Sequence, residues 1–153
     1  MADHQAPAVD QTAQQLMDRY VHHFRAQPRC HIGGRDVYWD PATGRRCPIG
    51  ACIPAPWEYP LDPADTTSPG DLVDRFPELG RWLLPVDLAP EVGEDLVFRV
   101  GEVHDRAWNW RAYGAGLGPS GWEDLAQVAR EFGLVYRGPR VSHRTGGRPR
   151  KFL

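Results

Sequence analysis

The chain is 153 residues long, carries a formal net charge of −2 and draws about a fifth of its residues from Pro and Gly, which fits one loop-rich domain and excludes a collagen-like chain. No run approaches 18 apolar residues, and three cysteines are too few for a disulfide-dense miniprotein, so a membrane-spanning helix and a disulfide scaffold are excluded as well. Charge is unevenly placed: residues 1–136 hold 12 basic and 20 acidic groups, whereas residues 137–153 hold six basic groups and no acidic one.

Residues 1–10 are small, polar and unpatterned and read as a flexible arm. They contain neither a basic n-region nor an apolar h-region, which predicts a cytoplasmic protein. From Thr12 to Ala26, the positions Leu16, Met17, Tyr20, Val21 and Phe24 recur at helical spacing, with Asp10 or Thr12 as N-cap and Pro28 marking the exit. Val37-Tyr38-Trp39 has strand chemistry, and Asp40-Pro41-Ala42-Thr43-Gly44 is a turn, so a short hairpin is predicted here. Five prolines between residues 54 and 70 oppose regular structure. A short helix is predicted to start at Ser68-Pro69, to run through Leu72, Val73 and Phe76, and to restart at Pro77 with Leu79, Trp82 and Leu83 inward.

Beyond a Pro85–Pro90 joint, Glu94-Asp95 opens a predicted helix with Leu96, Val97, Val100, Val103, His104, Ala107 and Trp108 on its buried face. Gly114, Gly116, Gly118 and Pro119 break that run. Ser120 and Glu123 then have capping-box spacing ahead of a helix buried through Leu125, Val128, Ala129 and Phe132, with Gly133 as its C′ residue. Leu134-Val135-Tyr136 reads as a short strand. The sum is an α+β fold: a small, mostly helical, loop-rich single domain over residues 11–136 with one short β-hairpin, followed by a basic disordered tail over 137–153.

Cys30, the run Gly44-Arg45-Arg46-Cys47-Pro48-Ile49-Gly50, the pair His104-Asp105 and the helix from Trp122 to Gly133-Leu134 occur in an order that resembles a group of small proteins from bacteria and their phages. The likeness spans roughly residues 14–134 and leaves the basic tail outside. It implies a shared fold and carries no mechanism, because the group has no established biochemical role.

Three constellations have chemistry to offer. Cys30, His31, Cys47 and Cys52 crowd around the predicted hairpin with His22 and His23 on the preceding helix, a donor set suited to zinc. The competing reading, which we favour, is that Cys30 and Cys47 face each other as buried thiols. Cys47 also fits a nucleophile reading, with Arg45 and Arg46 lowering its pKa. His104-Asp105 resembles the pair of HD-type metal-dependent phosphohydrolases, in which His22 or His23 and a late Asp124 would complete a divalent site; against this, His104 lies on the apolar helix face, where a hydrogen-bonded core histidine is the commoner case.

The tail contains Gly147-Arg148-Pro149-Arg150-Lys151, which resembles the core of an AT-hook, an extended Gly-Arg-Pro segment that tracks the A·T minor groove. Arg140, Arg144, Arg148, Arg150 and Lys151 are its candidate contacts to DNA or RNA phosphates. Trp108, Trp110 and Tyr113 offer rings for base stacking. The reading taken from the sequence is a non-enzymatic accessory or regulatory protein whose tail contacts nucleic acid. Its rivals are a small metal-dependent hydrolase using His104 and Asp105, and an acidic protein-binding module.

Overall fold

A computed structural model describes residues 5–61, 68–112 and 116–141. Helix α1 spans Ala13–Ala26. Thr12, rather than Asp10, is its N-cap: the Thr12 hydroxyl accepts from the Gln15 amide and the Gln15 side chain accepts from the Thr12 amide, a closed capping box. Its buried stripe of Leu16, Met17, Tyr20, Val21 and Phe24 enters the core as the periodicity predicts. Each such side chain, when fully buried, stabilises the fold by about 1.5–3 kcal/mol.

The hairpin is antiparallel and lies earlier than predicted. Strand β1 (His31–Ile32) pairs with β2 (Arg35–Asp36), with His31 opposite Asp36 and Ile32 opposite Arg35. Gly33 and Gly34, at φ +56° and +79°, supply the two positive-φ residues that a two-residue hairpin turn needs. The Asp40 turn does form: its carboxylate accepts from the Ala42 amide and the Thr43 hydroxyl. It is closed by an isolated bridge between Trp39 and Arg46 instead of a ladder; the Cys47 carbonyl, which the next ladder bond would use, accepts from the Ala51 amide.

The Gly-x-x-Cys-x-x-Gly run owes its two glycines to different causes. Gly44 sits at φ +74°, whereas a Cβ on Gly50 would lie 1.8 Å from the Tyr38 carbonyl oxygen.

Helix α2 (Pro69–Arg75) begins at the N-cap Ser68, a 3-10 turn follows at Pro77–Leu79, and α3 (Gly80–Leu83) completes this arm as predicted. Helix α4 (Pro90–Asp105) starts a turn earlier than Glu94, since Pro90 takes the first helical position, and buries Leu96, Val97, Val100, Val103 and His104. It ends at Asp105. The chain then makes a 3-10 turn at Ala107–Asn109, which swings Trp108 out to 71% exposure, so its predicted place on the buried stripe is corrected. Trp110 packs inward instead, its indole N–H on the His104 carbonyl at 2.7 Å and its ring 5.9 Å from Phe24.

Helix α5 (Pro119–Glu131) starts at Pro119, with Gly118 as N-cap. The predicted Ser120 cap is therefore displaced: Ser120 lies inside the first turn, and its hydroxyl reaches Asn109 Oδ1 at 2.9 Å. The C-terminus ends as expected. Gly133 is at φ +67°, its amide bonds the Arg130 carbonyl and the Leu134 amide bonds that of Ala129, a Schellman motif. Residues 134–136 are irregular rather than a strand.

Both flanks of the body are tied to it where they are described. Asp10 is paired with Arg81, and Arg137 with Asp18. No helix among the described residues is long and apolar enough to cross a membrane.

Candidate functional site

A cleft of about 490 Å³ opens between the hairpin and helix α4, and its lining includes Asp36, Tyr38, Phe98, Glu102, Asp105 and Trp108. Helical spacing explains one wall: Phe98, Gly101, Glu102 and Asp105 fall on one face of α4. Trp108, carried past the helix end, and Phe98, 48% exposed, give that wall accessible aromatic surface.

At the floor stands a chain of charged groups. Arg29 grips Asp36 with two bonds, of 2.8 and 2.9 Å, and its Nη2 also donates to the Asp105 carbonyl at 3.3 Å. His104, 1% exposed, places Nδ1 2.9 Å from Asp105 Oδ1 and 3.6 Å from Asp36 Oδ1. Its other nitrogen, Nε2, accepts from the Cys30 amide at 3.1 Å. A neutral imidazole that accepts at Nε2 carries its proton at Nδ1, so His104 donates to Asp105 and fixes that carboxylate. Glu102 is held by Arg99 and Arg106 at 3.3 and 3.5 Å. Asp105, whose side chain is 57% exposed, is left with a second oxygen that no described residue bonds.

One ligand atom from each of Asp36, His104 and Asp105 lies within 4.8 Å of the others, so the group is able to hold a metal ion. Among the described residues no other such group of three or more occurs. The structure thus adds Asp36 to the His104-Asp105 pair and does not add the partners that the HD likeness implies. His23 Nε2 is 2.7 Å from the Arg46 carbonyl, and Asp124 receives Asn109 Nδ2 at 3.0 Å.

Cys30, Cys47 and Cys52 are all buried, and each sulfur faces main chain. The Cys30 thiol donates to the Arg45 carbonyl at 3.2 Å, Cys47 accepts from the Gly50 amide at 3.2 Å, and Cys52 points at the Pro48 carbonyl at 3.5 Å. His31, which follows Cys30 and opens β1, faces solvent, away from the three buried sulfurs. Burial pushes the Cys30 and Cys52 thiols up to about 12 and the Cys47 thiol well above its ordinary range. Arg45 and Arg46 therefore do not give Cys47 a thiolate.

Of the tail residues, Arg140 is exposed, and Arg144, Arg148, Arg150 and Lys151 lie outside the described residues, as does Tyr113. Sequence reasoning missed Asp36 and the exposure of Trp108. The Gly33-Gly34 pair was the available signal for the first, because a two-residue turn there sets Asp36 opposite His31. No protein-family model, curated protein or solved structure matches this chain.

Proposed function

We propose that this is a non-enzymatic binding protein and that its cleft takes the cationic side chain, arginine or lysine, of a partner protein. The observation that carries this is Asp105: one oxygen is fixed by His104, the other is open, and the exposed Trp108 and Phe98 share the same cleft. A carboxylate beside an indole suits a cation on an apolar stem, and a cation over an aromatic face contributes about 0.5–2 kcal/mol. The committed state of the reactive groups supports a binding role over a catalytic one. Both His104 nitrogens have partners, and the three thiols are buried and protonated at neutral pH.

A zinc ion on Asp36, His104 and Asp105 is the competing occupant. It fits less well, because ligation at Nδ1 moves the histidine proton to Nε2, head-on to the Cys30 amide. Fluorescence polarisation of a labelled Arg/Lys peptide discriminates the two. Asp105→Asn and Trp108→Ala are each expected to weaken binding roughly three- to tenfold. Equal affinity of the wild type and Asp105→Asn contradicts the reading, and zinc binding without peptide binding replaces it.

The charge of the tail supports a second reading, contact with nucleic acid. Arg137 is engaged with Asp18, which leaves five cations and no acid beyond it. Duplex binding through these should show a log K against log salt slope no steeper than about −4.5. Neutralising Arg148, Arg150 and Lys151 should abolish most of it, and unchanged binding contradicts this reading.

A further inference from the structure

We propose that the cleft takes its partner as an extended segment laid along the open edge of β2, a third strand paired to the main chain of Asp36, with its cationic side chain at Asp105 and Trp108. This rests on the cleft being a site for a cationic side chain, and it adds the conformation and register of the segment that carries the cation.

The pairing of the hairpin fixes which way the Asp36 main chain points. The Val37 amide donates to the Cys30 carbonyl, and β1 and β2 pair His31 with Asp36 and Ile32 with Arg35. Hydrogen-bonded and non-hydrogen-bonded pairs alternate along an antiparallel ladder, so His31–Asp36 is of the second kind, and the Asp36 N–H and C=O turn away from β1. Tyr38, two residues on, has the same orientation and gives its carbonyl to the Cys47 amide along this outer edge. The segment that supplies Cys47 then leaves the edge. Cys47 turns its own carbonyl to the Ala51 amide, and the chain enters a 3-10 turn at Gly50–Cys52. Extending the register of the Trp39–Arg46 bridge would set Ile49 opposite Asp36, but the Ile49 carbonyl accepts from the Cys52 amide within that turn. Among the described residues, nothing pairs with the main-chain N–H and C=O of Asp36.

The cleft lies where that partner is missing. Gly34 through Tyr38 all line it, and Phe98, Glu102 and Asp105 of α4 form the facing wall. An unpaired edge beside a cavity of about 490 Å³ is a template for an added strand, whose main-chain bonds give affinity while alternate side chains reach the flanking wall. Asp105 stands on that wall, so the side chain carried to it is the cationic one.

The probe is a labelled Thr-Val-Arg-Val-Thr peptide, blocked at both ends and titrated into the full chain. Versions in which one amide at a time becomes an ester remove a single donor without adding bulk. The ester at the amide that meets the Asp36 carbonyl should weaken binding roughly five- to tenfold, against about threefold or less at its neighbours, whose N–H groups point away from β2. Hydrogen exchange of the Asp36 amide should slow roughly fivefold or more at saturation. Binding that Asp105→Asn weakens, with all esters alike and Asp36 exchange unchanged, overturns the added strand and leaves the cleft reading standing. A peptide bound equally by the wild type and Asp105→Asn, or by neither, overturns both.

Discussion

The cysteine cluster and the His104 cleft share a border, the bond from the Cys30 amide to His104 Nε2, yet they differ in where their remaining polar atoms point. On the cysteine side each sulfur meets a main-chain amide or carbonyl inside the core. On the other side Asp105 gives one oxygen to His104, and its half-exposed carboxylate lines the cleft. Both clusters hold residues that bind metals or perform catalysis elsewhere. What separates them is the direction of the free lone pair: a buried donor whose partners are all internal is packing, and an oriented acceptor with an open position is a site.

The sharpest way to break this comparison is to remove the residue they share. His104→Ala leaves the buried Cys30 amide without an acceptor and opens a hole in the core, and should cost about 3–5 kcal/mol in urea unfolding. A loss below about 1 kcal/mol would mean that His104 is not the joint between the two sides.

Alkaline pH probes the closed side alone. Unfolded thiols ionise near 9, while the folded chain keeps the Cys30 and Cys52 protons to about 12. The unfolded state therefore releases protons first, and the stability contributed by the buried thiols, complete below about pH 9, falls as pH rises toward 12. The raised Tyr20 adds in the same direction. Unfolding midpoints across this range should decline less steeply in Cys52→Ala than in the wild type.

The smallest stability effects belong to the open side. Asp105→Asn should shift the unfolding free energy by less than about 1 kcal/mol, and Trp108→Ala by about 0.5 kcal/mol or less, because these side chains are largely in solvent. Large losses in either would place it in the packing and not in the site.

The packed parts of the molecule were legible because they depend on local pattern. The stripe of α1, the Ser68 and Gly133 boundaries and the burial of His104 follow from spacing and capping chemistry. The site was half legible. His104-Asp105 stands out in the sequence, whereas Asp36 enters through a hairpin whose register depends on Gly33-Gly34, 70 residues away from His104 in the chain. Trp108 continues the apolar periodicity of α4, but the helix ends at Asp105, and a periodic pattern does not mark where its helix stops. The three cysteines misdirect for the opposite reason, since the residue types are right for zinc while the sulfurs are turned to the main chain.

The central claim is that Asp105 and Trp108 form a receptor for a cationic side chain. A 1H–15N titration of the full chain with an Arg/Lys peptide tests it most directly, because it reports position as well as affinity. The expected result is saturable shifts confined to the cleft lining, at the Phe98–Asp105 face of α4, the Trp108 indole and the Asp36 strand, with none at Cys52. Shifts that avoid this face, or no shifts at all, would contradict it.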